Sequence, residues 1–184
     1  HMEHMMRDYS RAYDMRYAAL RYFNAAGAAQ AGGIGEDHHP ETHLIPLVLQ
    51  VALGQREKIL VFGDDYATRD GTCIRDYIHV DDLADAHLRA LCHLQAGRGD
   101  LECHLGTGNG FTVMEIIEAA REITGHPIPA EIVERREGDP AMLVAGGSKA
   151  RDVLGWTPAR GDVRDVIRDA WAFHSKNPQG YRGD

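Results

Sequence analysis

Residues 59–85, ILVFGDDYATRDGTCIRDYIHVDDLAD, constrain the fold more tightly than any other part of the chain. A short β-rich run, Ile59 to Phe62, breaks at Gly63, and a polar loop with Asp64, Asp65, Thr68, Asp70 and Gly71 follows. A second extended run spans Cys73 to Val80. Strand side chains alternate between faces, so Ile74, Ile78 and Val80 are expected on one side and Arg75, Tyr77 and His79 on the other. A strand that hides an apolar face and shows a guanidinium, a phenol and an imidazole is suited to holding an anionic ligand from a rigid element. The plainer alternative is a surface strand on which Arg75 pairs with Asp76.

A chain of 184 residues is one domain or part of one, and can bury roughly 70% of its unfolded surface. Its 43% hydrophobic and 26% charged residues are ordinary for a globular protein. A net charge of −8 argues against general nucleic-acid or anionic-membrane binding, so an anionic ligand would need a local cluster of arginines. No apolar run is as long as a membrane span, and no signal peptide is visible. Cys73, Cys92 and Cys103 are odd in number and lack CxxC spacing, which reads as reduced thiols in a cytoplasmic protein. The opening His1-Met2 reads as a cloning remnant, and the chain is expected to begin partway into a longer protein.

Periodicity and punctuation place the remaining elements. Met2, Met6, Tyr9, Tyr13 and Tyr17 recur at helical spacing, predicting a helix over 3–17 with no start signal before it. Ala18 to Phe23 reads as a strand. Thr42 is expected to cap a buried helix that Gly54 stops. Asp81 or Asp82 is expected to cap a helix burying Leu83, Ala84, Leu88 and Leu91. Strands are expected at Leu101–Leu105, Ile128–Arg135 and Ala141–Ala145. Thr112 and Glu115 form a capping-box pair at the head of a helix. Ser148 and Asp162 are expected to start the last two helices, and the polar tail after His174 is expected to fray.

Three loops carry candidate chemistry. GGIGED, at residues 32–37, has neither the preceding strand nor the following helix of a dinucleotide loop, and reads as a flexible connection. His38, His39 and His43 invite a metal reading, but by spacing no carboxylate or cysteine completes a persuasive set, so no metal is expected. GTGNG, at residues 106–110, lacks GxGxxG spacing and reads as structural.

Three separated blocks share one likeness: RYFNAAGA at residues 21–28, VFGDDYATRDGTCIRDYIHVDDLADAH at residues 61–87, and RREGD at residues 135–139. Together they closely resemble the UDP-glucose 4-epimerases, which belong to the extended short-chain dehydrogenase/reductases. The DDYATRDGT loop separates this pattern from the related dehydratases and decarboxylases. The resemblance implies an α/β fold: the carboxyl-terminal part of an extended Rossmann-type enzyme, with a mixed α/β substrate domain and residual strands of the parallel sheet. Residues 1–184 would then be the substrate-binding half, without the amino-terminal NAD-binding Rossmann part.

By the same resemblance Tyr22 and Phe23 would lie near the nicotinamide of NAD. Asn24, Leu44 and Arg75 would touch a UDP-sugar, UDP-glucose or UDP-galactose. Leu60, Val61 and Phe62 would meet the uracil, Arg136 the pyrophosphate, and Asp139 a ribose or sugar hydroxyl. Many members carry asparagines before the matching leucine, where this chain has Thr42-His43-Leu44, and His43 or a backbone N–H at the helix start would substitute. The catalytic tyrosine and lysine are expected upstream of Glu3, because no tyrosine here has a lysine four positions on. The intact enzyme would be a homodimer, and this half alone either a non-catalytic UDP-sugar binding module or a piece that associates through its exposed edges.

Overall fold

The computed structural model of the chain describes residues 1–182. Helix α1 (Met2–Tyr13) leads into β1 (Ala18–Arg21) and β2 (Asn24–Ala26), and α2 (Leu44–Ala52) precedes β3 (Ile59–Phe62). Next come β4 (Ile74–Arg75), β5 (Tyr77–His79), α3 (Val80–Gln95), β6 (Leu101–His104) and β7 (Phe111–Thr112). Helix α4 (Val113–Thr124), β8 (Ala130–Val133), β9 (Met142–Leu143), α5 (Ser148–Leu154) and α6 (Val163–His174) complete the order. Parallel pairs β1–β6, β2–β5 and β3–β8 are joined by a small mixed sheet in which β4 runs antiparallel to β7 and parallel to β9. One core lies among α2, α4, α6, β3 and β5, and a second gathers round Trp156 beneath α3. Trp156 is 1% exposed, and its indole N–H donates to the Asp82 carbonyl at 3.0 Å.

The run Cys73–Val80 is not one strand. It divides at Asp76, which is 1% exposed. Its carboxylate accepts from the backbone N–H of Thr107 at 3.2 Å, the Thr107 hydroxyl at 2.6 Å and the Ala145 N–H at 3.1 Å. Turning inward to those donors ends the alternation, so β4 and β5 serve different sheets and Val80 already belongs to α3. His79 is therefore not displayed beside Arg75. It is fully buried, with Nε2 3.1 Å from Asp169 Oδ2, while Nδ1 accepts the Asp81 N–H at 3.1 Å and so caps α3. Its ring fits because Gly27, at φ 93°, has no Cβ, which would fall 2.9 Å from His79 Cδ2.

Other boundaries also shift for tertiary reasons. The strand expected over Ala18–Phe23 stops at Arg21, and Asn24 opens a new strand on a different partner, β5 instead of β6. His43, not Thr42, stands at the N-cap of α2, and Gly147, not Ser148, at that of α5. Helix α3 buries Leu83, Ala86 and Ala90, while Leu88 and Leu91 are 60% and 51% exposed. The small residues let α3 approach the strands closely, which its leucines would prevent. The Thr112–Glu115 capping box forms as expected, as does the Asp162 cap on α6. The tail is docked through Tyr181, whose hydroxyl accepts the Gly35 N–H at 2.8 Å and whose ring lies 5.5 Å from that of Phe173. Residues 32–37 are held in turn by that contact and by Asp37, which accepts the Tyr181 N–H at 3.0 Å. Gly183 and Asp184 lie outside the described residues.

Helix α1 is shorter than expected, closing at Asp14 in the left-handed region, and it turns its polar face inward. Arg7 donates to both oxygens of Glu102 at 2.6 and 2.5 Å, Tyr17 donates its hydroxyl to Glu102 at 2.6 Å, and Ser10 donates to Asp100 at 2.5 Å. Met2, Met5, Tyr9 and Tyr13 face outward. The Arg7 fork and then the Tyr17 hydroxyl hold Glu102 down at about 2. A depressed carboxylate stabilises above its ordinary pKa, near 4.5, and that contribution is lost as pH falls towards 2. Amide exchange in α1 is therefore expected to accelerate across that window while the α4 core stays protected. Glu102→Gln should bring the acceleration to neutral pH, and unchanged α1 exchange in that variant would sink the account.

Candidate functional site

A cleft of about 230 Å³ opens between the start of α2, β3, β4 and the turn at residues 136–139. Asn24, His43, Leu44, Leu60, Phe62, Arg75, Arg136 and Asp139 all line it. Residues more than a hundred positions apart thus share one wall. Val61 does not join them: strand alternation sends it into the core, 1% exposed, while Leu60 is 41% exposed.

The basic groups are held firmly. Arg75 donates to Asp139 Oδ1 at 2.5 Å and to the carbonyls of Ile74 and Pro140 at 2.9 Å each. Its partner is Asp139, not the adjacent Asp76. The Arg136 guanidinium lies 3.8 Å from the centroid of the Phe62 ring, a cation–π stack that fixes a planar donor fork at the cleft. Arg135 points elsewhere, stacked over Tyr66 at 4.0 Å and bonded to Asp65 at 2.5 Å. Asn24 donates its amide N–H to the Asp76 carbonyl at 2.8 Å, tying the strand ends of β2 and β5 together. Burial pushes the Tyr77 hydroxyl far above its ordinary value, so it faces the cleft as a neutral donor.

Thr42, Leu47, Ile59, Cys73 and Val113 also wall the cleft, and sequence reasoning did not single them out. Only Leu47 had a local signal, sitting one helical turn after Leu44.

A second cleft, about 400 Å³, is lined by Tyr22, Phe23, the backbone of residues 24–27, Glu36 and Val80. Tyr22 and Phe23 are 41% and 45% exposed. Asn24 and His43 border both clefts, so the two adjoin there. The expected absence of a carboxylate near the histidines is also corrected. His43 Nδ1 lies 2.7 Å from Glu36 Oε1 and 3.0 Å from Glu41 Oε1, and His38 Nδ1 is 3.7 Å from Glu41 Oε1.

Parallel strand pairs with flanking helices, and a ligand-sized cleft at their ends, define a Rossmann-like α/β protein. Residues 1–105 match the NAD dependent epimerase/dehydratase family, and the chain belongs to that family. Among its relatives, the UDP-glucose 4-epimerase of Halalkalibacterium halodurans is 57% identical over 92% of this chain and 51% of its own length. A crystal structure of a UDP-glucose 4-epimerase superposes with a TM-score of 0.96 at 59% identity, covering 98% of this chain and 55% of that one. The Brucella ovis UDP-glucose 4-epimerase, solved in complex with NAD, gives 0.89 at 48% identity over 92% of this chain and 52% of its own. The chain spans about half the length of the curated relatives it matches.

Proposed function

We propose that this chain supplies the UDP-sugar-binding half of an NAD-dependent UDP-glucose 4-epimerase. The observation that carries this reading is the meeting of Arg75, Arg136 and Phe62 in one cleft of a chain whose net charge is −8. A diphosphate suits two fixed guanidinium groups, because each presents paired donors to phosphate oxygens. Arg75 spends three of its five N–H groups on Asp139, Ile74 and Pro140, and two remain for a ligand. Leu60 and Phe62 offer apolar surface to a base, and Asn24 and Asp139 offer polar atoms to hydroxyls.

NAD, when bound, would supply reversible hydride acceptance at the sugar. The residues here fit only the edge of such a cofactor. Tyr22, Phe23 and Gly27 can border a flat ring, but among the described residues no arginine or lysine lines that cleft to meet a dinucleotide's diphosphate. On this reading the nucleotide sugar belongs to the first cleft, with Asn24 and His43 between sugar and cofactor. A second reading is a non-catalytic UDP-sugar binding module, since the cleft with Arg75 and Arg136 would serve binding without turnover. The outward apolar face of α1 favours self-association or a covering partner.

Calorimetric titration of UDP into the folded chain is expected to show one saturable site, while NAD gives no heat. A flat UDP titration on a folded sample defeats the proposal. The chain alone is expected not to interconvert UDP-galactose and UDP-glucose, so turnover by it would overturn the division of labour. A full-length gene product that holds NAD and UDP-glucose without interconversion would favour the binding module.

A further inference from the structure

We propose that the loop from Glu36 to His43 is a divalent transition-metal site, with His38, Glu41 and His43 as its ligands and Glu36 against His43. The sequence reads Glu-x-His twice, at 36–38 and 41–43. In extended chain, residues two apart share a face, so each pair presents a carboxylate and an imidazole together. Asp37, between the first pair, points to the opposite side and accepts the Tyr181 N–H.

The geometry is close to what an ion needs. One donor atom from each of His38, Glu41 and His43 falls within 4.8 Å of the others, and the two imidazole centroids are 5.1 Å apart. Glu36 reaches His43 Nδ1 at 2.7 Å. Donors about 2.0–2.2 Å from a tetrahedral ion sit about 3.3 Å from one another. The Nδ1-to-carboxylate distances of 2.7, 3.0 and 3.7 Å bracket that separation.

Glu41 is already immobilised. Its Oε1 accepts the backbone N–H groups of Thr42 and His43 at 2.7 Å each, and its side chain is 6% exposed. That same Oε1 is the atom measured above against both imidazoles, so an ion would share it with the two N–H groups. Two imidazole nitrogens with carboxylate oxygens suit Zn²⁺, Co²⁺ or Ni²⁺, whereas Ca²⁺ and Mg²⁺ prefer all-oxygen shells. His43 is the N-cap of α2 and borders both clefts, so a bound ion would fasten this loop to the helix start between them. The competing arrangement is the direct His43 contact with Glu36 and Glu41, without an ion.

The test is Zn²⁺ titration of the whole chain against a chromophoric chelator, repeated with Co²⁺ and read by its visible absorption. One ion per chain is expected, with Co²⁺ bands of the intensity given by four- or five-coordinate nitrogen and oxygen donors. His38→Ala and Glu41→Gln should each weaken Zn²⁺ binding at least tenfold, while His39→Ala, outside the cluster, retains it. Zn²⁺ should raise the thermal midpoint of the parent and not that of His38→Ala, since an ion that binds only the folded state stabilises it. Circular dichroism of the variants separates loss of ligand from loss of fold. Equal Zn²⁺ affinity in the parent and His38→Ala, or an equal loss in His39→Ala, overturns the proposal in favour of the direct contacts alone.

Discussion

Asp76→Ala is expected to destabilise the fold by about 4 kcal/mol, a large share of the 5–15 kcal/mol typical of such a domain. The carboxylate sits 1% exposed among three donors, the Thr107 N–H, the Thr107 hydroxyl and the Ala145 N–H. Each buried donor left without an acceptor costs about 1–3 kcal/mol, and the deletion strands three at once. The site is close-packed: a Cβ on Gly106 would lie 2.7 Å from Asp76 Oδ2. Asp76→Asn should recover part of the loss, because its amide oxygen still accepts although its NH₂ meets a donor. Urea unfolding at constant slope reads the difference. A loss below about 1 kcal/mol for Asp76→Ala would show that the three bonds do not hold the site, since that is the worth of one ordinary hydrogen bond.

The same residue explains what the sequence could and could not show. The cleft was legible because its residues lie in blocks whose order is idiosyncratic. Phe62, Arg75, Arg136 and Asp139 line one cleft, and what they would hold there belongs to the proposal above. Helix α2, apolar on nearly every face, and the Thr112–Glu115 capping box needed only local information and formed as expected. What failed depended on distant partners. Asp76 splits a run that alternates well as a single strand because its acceptors are wanted by Thr107 and Ala145, some 30 and 70 positions away. His79 disappears inside because Asp169 waits for it across α6. Helix α3 carries apolar residues on two faces, and only the strands beneath it select Ala86 and Ala90 over Leu88 and Leu91. Glu36 and Glu41 meet the histidines only through the turn between the two Glu-x-His pairs, which loop spacing does not reveal.

If Arg75 and Arg136 share a diphosphate, replacing both with alanine should weaken UDP binding about a thousandfold, as the loss of about 4 kcal/mol implies. A hydrogen bond to a charged group contributes about 1.5–3 kcal/mol, so Arg136→Ala alone should cost roughly thirtyfold. Arg75→Ala should cost more, about a hundredfold, because it also leaves Asp139 without its 2.5 Å partner, and a lone carboxylate then faces the phosphates. The two losses need not add, since both groups act on one ligand. Arg136→Lys tests geometry apart from charge: an ammonium keeps the attraction but not the planar stack on Phe62, 3.8 Å away, and should fall between parent and alanine. Salt offers a control that packing damage cannot imitate. UDP affinity of the parent should weaken steeply with ionic strength, and that of the double variant should barely respond, because the screened attraction is gone. If the double variant remains folded and binds UDP within threefold of the parent, with the same salt dependence, the two guanidinium groups serve Asp139 and Phe62 alone and the cleft is not a diphosphate site.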